Sequence, residues 1–288
     1  MPELPEVEVV KKSLEHKLKN LTIKRVFINN SKLRYEINRR DFSKLEGLKV
    51  ISVKRRSKYL LLNLSKNYTI LSHLGMTGKF FIIDRKKKRY KTSFYYTLKK
   101  NNSKHDHITI YLNKGYTLIY NDVRKFGFIK LFLSDNIHKS THLAFLGPEP
   151  LSKNFNSSYF KKKIQNKKKR IKDLLMDQKF VSGLGNIYCN EILYLSKINP
   201  SKIVKKIEKK EINRLIKFTK VILKKSILKG GSSIKDFSSV NGKEGNFQQE
   251  FNVYNREKGR CYSTKCSGII KKRYISNRSS FFCPVCQK

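Results

Sequence analysis

This sequence is short of long apolar runs, of acidic residues and of cysteine. None of its apolar runs is long enough to cross a lipid bilayer, which excludes a helical membrane protein. The start, Met1-Pro2-Glu3, leads into no apolar segment, so we expect no secretory signal peptide. No internal repeat is evident. We therefore expect a globular, cytoplasmic protein without membrane partners, and a monomer.

Acidic residues are scarce in comparison with basic ones. The chain has 21 Asp and Glu against 65 Lys and Arg, a formal net charge of +44 over 288 residues. A surface this positive attracts polyanions, and nucleic acid is the polyanion that a cytosolic protein most often meets. Compositional drift is the alternative, since Lys, Asn and Ile are all abundant. Charge therefore favours nucleic-acid binding without indicating any reaction.

Cysteine is rare, and its spacing is informative. The chain has five cysteines, too few in a cytoplasmic protein to predict a disulfide framework. Four of them form a C-x4-C and a C-x2-C pair near the C-terminus: Cys261, Cys266, Cys283 and Cys286. We predict one structural Zn²⁺ here, because four thiolates leave no open coordination position; loose thiols in a short tail are the alternative. Cys189 is interpreted as packing.

The chain divides into three regions that differ in their local pattern of apolar residues. After an apolar helical pattern over residues 4–18, short β-rich runs extend from Thr22 to Phe132, as in a sandwich or barrel. The first domain is predicted over residues 1–147. Its strands include Lys24–Ile28, Tyr59–Leu64, Thr69–Leu74, Lys79–Ile83, Ile108–Leu112 and Thr117–Tyr120.

The remainder is predicted to be helical and then β-rich. A helical domain is expected over residues 148–250, where helices Ile171–Met176, Ile187–Leu195 and Lys209–Leu228 follow a basic stretch, Lys161 to Arg170. The turn Gly183-Leu184-Gly185-Asn186 before the second helix fits a clamp for the DNA backbone. Residues 251–288 are expected to form the zinc finger, with a hairpin from Ile269 to Phe282 that presents Arg273 and Arg278.

Several motifs occur in order along essentially the whole chain, and together they closely resemble the formamidopyrimidine-DNA glycosylase family. They are Pro2-Glu3-Leu4-Pro5-Glu6-Val7-Glu8, Lys58, His73-Leu74-Gly75-Met76-Thr77-Gly78, Asp122-Val123-Arg124-Lys125-Phe126-Gly127, Gly183-Leu184-Gly185-Asn186-Ile187-Tyr188 and the terminal cysteines. The resemblance implies an α+β multidomain fold. Its parts are an N-terminal β-sandwich with an N-terminal helix, a helix–two-turn–helix domain and a C-terminal zinc-ribbon-like β-hairpin finger.

The resemblance also implies an activity and its catalytic residues. A bifunctional glycosylase and abasic-site lyase of base excision repair would act on damaged double-stranded DNA, at the bacterial nucleoid, to remove oxidised purines. Pro2 resembles the nucleophile, since removal of Met1 would free an amine that titrates near pH ~8. Glu3 matches the general acid/base, with Glu6 placing the amine. Lys58 matches the proton donor of β-elimination, and Arg278 the arginine of δ-elimination and phosphate contact.

Further positions match residues that the family uses to hold DNA. Met76, Arg124 and Phe126 resemble the wedge that fills the base stack when the lesion is extruded. His105, Lys168 and Asn186 fall on backbone-contacting positions, and Lys172 on one tied to handling the damaged base. Residues 240–247 correspond to the loop that covers the flipped base, with Glu244-Gly245 where many relatives have Pro-Gly.

Two alternatives remain open. A glycosylase of the endonuclease VIII type, which prefers oxidised pyrimidines, shares the proline and the zinc hairpin but usually lacks the Leu4-Pro5-Glu6 opening and the Met/Arg/Phe set. A non-enzymatic zinc-ribbon protein that binds nucleic acid would explain the charge and the cysteines. That reading leaves the ordered occurrence of Pro2, Glu3, Lys58 and Arg124 unexplained.

Overall fold

A computed structural model describes residues 1–92, 103–230 and 251–288. They form two compact units, the first Met1–Ala144 and the second Phe145–Lys229 together with residues 251–288. Within these ranges, no helix is both long and apolar enough to span a membrane. The predicted lesion-covering loop, residues 240–247, lies outside the described residues. The division into three domains stays a prediction.

The first helix, α1 (Leu4–Leu18), begins with two reciprocal hydrogen bonds. The Glu3 side chain accepts from the Glu6 amide, and the Glu3 amide donates to Glu6 Oε2 at 2.8 Å, a capping box that satisfies amides of the first turn. Pro5 costs no hydrogen bond in this turn. The buried stripe of α1 includes Val7, Val10 and Leu14 and joins the sandwich core.

The rest of the first unit is a β-sandwich of two antiparallel sheets, as predicted. One sheet has the order β1-β7-β8-β5-β6 and the other β2-β3-β4-β9. The strands are β1 (Ile23–Ile28), β2 (Val50–Arg56), β3 (Tyr59–Leu64), β4 (Tyr68–His73), β5 (Lys79–Ile83), β6 (Arg89–Lys91), β7 (Asp106–Leu112), β8 (Thr117–Asn121) and β9 (Phe128–Leu133). A short helix, α2 (Arg39–Ser43), follows β1 in the chain. Alternating residues such as Leu60, Leu62 and Leu64 of β3 enter a shared core with α1.

The second unit contains four helices. They are α3 (Ser157–Ile164), α4 (Ile171–Met176), α5 (Asn186–Leu195) and α6 (Lys209–Leu228). The sequence predicts α4 and α6 with these bounds. It predicts the start of α5 one residue later, at Ile187, and the same end. The basic stretch from Lys161 is not a separate segment, because α3 runs into it. Asn156 caps α3 by accepting from the Tyr159 amide, and Phe160 and Ile164 enter the core of the unit.

The finger hairpin is formed by β10 (Lys271–Ile275) and β11 (Arg278–Phe282), within the range that the sequence predicts. Its two-residue turn has positive φ at both Ser276 (46°) and Asn277 (59°), as a type I′ turn requires. The apolar core beneath it is small and includes Val253, Ile270 and Phe281 beside two cysteines. A core of this size needs other bonds to hold its shape.

Candidate active site and metal centre

The N-terminal amine of the first unit lies in a charged, partly buried environment. Glu3 is 2% exposed and Glu6 is 3% exposed. Burial lowers the pKa of the Met1 amine from its usual 8.0, and the positive charges of Lys58 and Arg124 act in the same direction, while Glu3 and Glu6 oppose them. Glu3 and Lys58, predicted as catalytic, and Arg124, predicted to contact DNA, therefore lie close enough to the start of α1 to act electrostatically on its amine. A lowered pKa favours the neutral form of the Met1 amine.

Lys58 reaches this place from the tight turn between β2 and β3. Ser57, beside it, has φ of 57°, and Lys58 is 6% exposed. Arg55 fastens the turn to α1, since its Nε donates to Glu8 Oε2 at 2.6 Å and its guanidinium donates to the Ser57 carbonyl at 2.8 Å. The ion pair between Arg55 and Glu8 is largely shielded from solvent. The bonds of Arg55 therefore fix the Lys58 turn on the helix that begins at the amine.

The predicted wedge residues stand on two adjoining loops, residues 74–78 and 122–127, which we call the platform. Fully buried Asp122 joins them, because its carboxylate accepts from Thr77 Oγ1 and, at 2.8 Å, from the Gly127 amide. The Arg124 amide in turn donates to Thr77 Oγ1 at 2.9 Å. From this bonded base the apolar wedge side chains emerge, Met76 with 38% and Phe126 with 46% of their surface exposed. The Arg124 guanidinium lies 4.6 Å from the centre of the Phe126 ring.

Glycine lets the two loops of the platform touch backbone to backbone. A Cβ on Gly75, which has φ of 59°, would lie 2.4 Å from the Gly127 nitrogen. A Cβ on Gly127 would lie 1.9 Å from the Tyr120 hydroxyl and 2.6 Å from the His73 carbonyl oxygen. Both glycines are therefore required by close packing.

His73 ends β4 immediately before the platform and is held uncharged. Burial lowers its pKa from 6.5 to about 4, and the charges of Lys58 and Arg34 add to the effect. Its Nδ1 accepts from the Gly75 amide at 3.0 Å, as a neutral imidazole does. Its ring stacks on Phe128 with 5.9 Å between centres. His105, a predicted DNA contact, is half-buried, and its carbonyl accepts from the Asp122 amide at 3.1 Å.

The predicted residues of the second unit lie in different surroundings. Lys168 is exposed before α4. Lys172 on α4 has no exposed surface, and its Nζ donates to the Ser279 carbonyl at 2.9 Å and to Ser280 Oγ at 2.6 Å. Asn186 Nδ2 donates to the same Ser279 carbonyl at 3.0 Å. Arg278, next to Ser279, is exposed at the start of β11.

The four predicted metal ligands come together at the base of the finger hairpin. All four sulfur atoms lie within 4.8 Å of one another. Two of the separations are 3.8 Å, between Cys261 and Cys286, and 3.6 Å, between Cys266 and Cys283. A tetrahedron with metal–sulfur bonds of about 2.3 Å has edges of about 3.8 Å, so this cluster has the size that zinc requires. Cys189 is buried in the helical core away from this group.

Several residues that shape these sites were assigned no role from the sequence. Asp122 stands in a quoted motif, but only its bonds show that it joins the two loops. Tyr194 on α5 has its hydroxyl 3.2 Å from Cys261 Sγ. Glu191, also on α5 and fully buried, accepts hydrogen bonds from the backbone of residues 252–254. A buried acid in a helix with no nearby cation in sequence is the signal that could have indicated Glu191.

Two family models match the chain. The model described as formamidopyrimidine-DNA glycosylase N-terminal domain matches residues 1–129, and the one described as formamidopyrimidine-DNA glycosylase H2TH domain matches residues 146–238. Curated relatives extend over its whole length. Formamidopyrimidine-DNA glycosylase of Rickettsia bellii is 42% identical over 291 residues, covering 100% of both chains. The enzyme of Histophilus somni is 40% identical over 289 residues, again with 100% of both chains covered.

Solved structures agree in fold. Lactococcus lactis Fpg in complex with DNA that contains an abasic site has a TM-score of 0.84 and 33% identity, with 99% of each chain covered. A variant of that protein with DNA containing Fapy-dG gives a TM-score of 0.85 and 33% identity over 100% of both chains. The wild-type protein with DNA containing an oxidised pyrimidine gives 0.84 and 33%, also over 100% of both chains.

Proposed function

Because the chain belongs to the formamidopyrimidine-DNA glycosylase family, we propose that it excises oxidised purines from double-stranded DNA in base excision repair. It then cleaves the strand at the abasic site, by β,δ-elimination. The substrates are 8-oxoguanine and formamidopyrimidines. The observation that carries the proposal is the charged group at the start of α1, where the buried carboxylates Glu3 and Glu6 and the cations Lys58 and Arg124 all act on the chain terminus that precedes Pro2. This reaction takes place at chromosomal DNA in the bacterial cytoplasm.

The nucleophile is the nitrogen of Pro2, freed when Met1 is removed. Its lone pair attacks C1′ of the deoxyribose, the bond from C1′ to the base breaks, and the base departs with that electron pair and a proton. The nitrogen loses its own proton as the sugar ring opens, which leaves an iminium. The iminium acidifies C2′, and loss of that proton expels the 3′ phosphate. A second elimination expels the 5′ phosphate.

Glu3 and Lys58 move the protons of these steps. Glu3 protonates the ring oxygen as the sugar opens, and its place as the cap of α1 sets it beside the amine. Lys58 acts in β-elimination from the turn that Arg55 holds. Glu6, bonded to the Glu3 amide, fixes the start of the helix.

The platform supplies the wedge that replaces the extruded base. Extrusion costs a few kcal/mol, part of which inserted side chains recover. Met76 and Phe126 provide exposed apolar surface, and Arg124 provides donors for the orphaned cytosine. Because their backbones are fixed by Asp122 and Thr77, little ordering remains to be done when DNA binds.

In the second unit, exposed cations and the finger bind phosphate. Lys168, Asn186 and Arg278 contact the DNA backbone, with His105 contributing from the first unit. Zinc, held by the four cysteines, supplies the stability that the small core of the finger lacks. The charge of +44 adds a salt-dependent attraction to DNA of any sequence.

Borohydride trapping tests this proposal. Reduction of the iminium should join the protein covalently to duplex DNA with 8-oxoguanine opposite cytosine, and Pro2→Gly should strongly reduce the yield. Pro5→Ala is the matched control, since it changes a proline of the same helix start and leaves the amine intact. Absence of any adduct would indicate a non-enzymatic binder. Better trapping on thymine glycol or dihydrouracil would indicate an endonuclease VIII type.

Mass spectrometry of the purified chain tests the nucleophile itself. We expect a mass without Met1. Full repair activity in a protein that retains Met1 would refute attack by Pro2, because the nitrogen would then be part of a peptide bond.

A further inference from the structure

Lys172 lies on α4, entirely within the second unit, and has no exposed surface. Its ammonium donates to two acceptors of β11, the Ser279 carbonyl at 2.9 Å and Ser280 Oγ at 2.6 Å. Burial of an ammonium costs several kcal/mol unless its donors are well satisfied. A lysine kept in this place therefore has a specific structural task, and its charge does not reach solvent.

The acceptors of Lys172 are the two residues that follow Arg278 in the chain. The Ser279 carbonyl also accepts from Asn186 Nδ2, so α4 and the start of α5 hold the same atom. Two residues further on, the Phe281 amide donates to Asn190 Oδ1 at 2.9 Å. The strand that carries Arg278 is thus fixed along its length by side chains of two helices.

At the turn end of the strand, the Arg278 carbonyl accepts from Ser280 Oγ at 3.3 Å, and Arg278 pairs with Ile275 of the facing strand. Arg278 follows the two-residue turn of the finger hairpin, and the facing strand is exposed from Lys271 to Tyr274. Only one peptide separates Arg278 from the carbonyl that Lys172 and Asn186 hold. These bonds therefore fix the backbone from which the Arg278 side chain extends.

We propose that Lys172 is a positioning residue for Arg278: it fixes β11, and with it the backbone from which the guanidinium extends to a DNA phosphate. This differs from the role in handling the damaged base that family resemblance implies, since the ammonium is already bonded and shielded. The inference rests on the proposed function, because it gives Arg278 a role on DNA.

An abasic substrate separates the two roles, because it contains no base to be handled. With DNA that carries a preformed abasic site, Lys172→Met should slow strand cleavage about tenfold, and Arg278→Ala should do the same. If Lys172 instead handled the base, Lys172→Met would slow release of 8-oxoguanine and leave cleavage at the abasic site unchanged. That result would overturn the proposal.

A double-mutant cycle provides the second readout. If Lys172 acts through Arg278, Lys172→Met combined with Arg278→Ala should be no slower than Arg278→Ala alone; independent roles would multiply to about a hundredfold loss. Lys162→Met, which removes an exposed lysine from α3, is the charge-matched control and should have little effect. Multiplying effects would refute the inference.

Ser280→Ala covers the case in which Lys172→Met fails to fold. It removes one of the two acceptors of Lys172 together with the bond from Ser280 Oγ to the Arg278 carbonyl. It should give a smaller loss of the same kind, again absent when Arg278 is already Ala. Zinc content should stay unchanged in every variant. A cleavage rate in Arg278→Ala equal to that of the unchanged protein would overturn the inference as well, while trapping through Pro2 would still test the glycosylase reaction separately.

Discussion

The platform of the first unit and the finger hairpin of the second both present side chains to solvent, but they are held by different forces. The platform stands on a large apolar core, and its two loops touch through glycines so closely that a Cβ would fall 2.4 Å from a backbone nitrogen. The finger hairpin has a small core and is held by a buried ammonium and amide side chains, with four clustered cysteines at its base.

This difference shows how a fold compensates for the size of its core. Where apolar burial is ample, fixed backbone contacts and one shared carboxylate, Asp122, are enough to order a loop. Where it is scarce, as in the finger hairpin, polar bonds must supply both stability and direction at the cost of desolvating charge, and the four cysteines offer a site for a metal. The platform should therefore be destabilised most by substitutions that add atoms, and the finger hairpin by substitutions that remove particular bonds.

Removal of zinc should produce the largest effect, and it should affect the finger hairpin but leave the platform unchanged. Structural zinc sites contribute about 10 kcal/mol or more, so a strong chelator, or Cys283→Ser, should unfold the finger hairpin and weaken DNA binding. Hydrogen exchange should then rise over residues 261–288 and stay slow in β3 and β4. Cys189→Ala should keep its zinc. Unchanged zinc content and DNA binding in Cys283→Ser would contradict this account of the cysteines.

Gly127→Ala should damage the platform through a steric clash. Its Cβ would lie 1.9 Å from the buried Tyr120 hydroxyl, so we expect a loss of about 3 kcal/mol in the free energy of unfolding, measured by denaturant titration. Gly47→Ala is the control, with φ of 81° but nothing within 4 Å of the added Cβ, and should cost about 1 kcal/mol. Tyr120→Phe should recover part of the loss in Gly127→Ala. Equal costs at the two glycines would show that the close packing of Gly127 against β4 and β8 is not what holds the platform.

Acid should affect the first unit through His73. The pKa of His73 is about 4 in the folded protein and 6.5 in the unfolded chain. Between these two pH values the unfolded chain therefore binds a proton that the folded protein does not. The stabilisation is complete above pH 6.5 and is lost as pH falls toward about 4, by up to about 3 kcal/mol. His73→Asn, which keeps an acceptor for the Gly75 amide, should flatten this part of the stability profile. An unchanged slope in that variant would assign the acid sensitivity to other groups.

The elements that the sequence predicts best are those whose local pattern agrees with their tertiary setting. Periodic apolar residues and a capping box define α1 and α6, and paired strands with alternating residues define the sandwich. The cysteine spacing predicts the cluster, because few other arrangements use four thiols in so short a segment. The helix α3 is obscured by three consecutive lysines on its last turn, which suggested an exposed basic segment instead.

What the sequence does not predict is the bonding between segments far apart in the chain. Lys172 meets Ser279 across 107 positions, and Thr77 meets Asp122 across 45, so no window of sequence contains both partners. Resemblance to a family assigns roles residue by residue, but it does not reveal which side chain holds another in place. The assignment of Pro2, Glu3, Lys58 and the DNA contacts stays a prediction until the variants are measured.

Glu191 restricts which residues can occur where the chain enters the finger. Both of its oxygens accept only N–H groups, from the amides of Asn252, Val253 and Tyr254 and from the Asn252 side chain, at 2.8 to 2.9 Å. Three of these four donors belong to the main chain, so this contact is indifferent to almost any side chain at the three positions yet intolerant of proline, which has no N–H to offer. Substitutions at these three positions can therefore change the side chain widely, provided that the new residue keeps its backbone N–H.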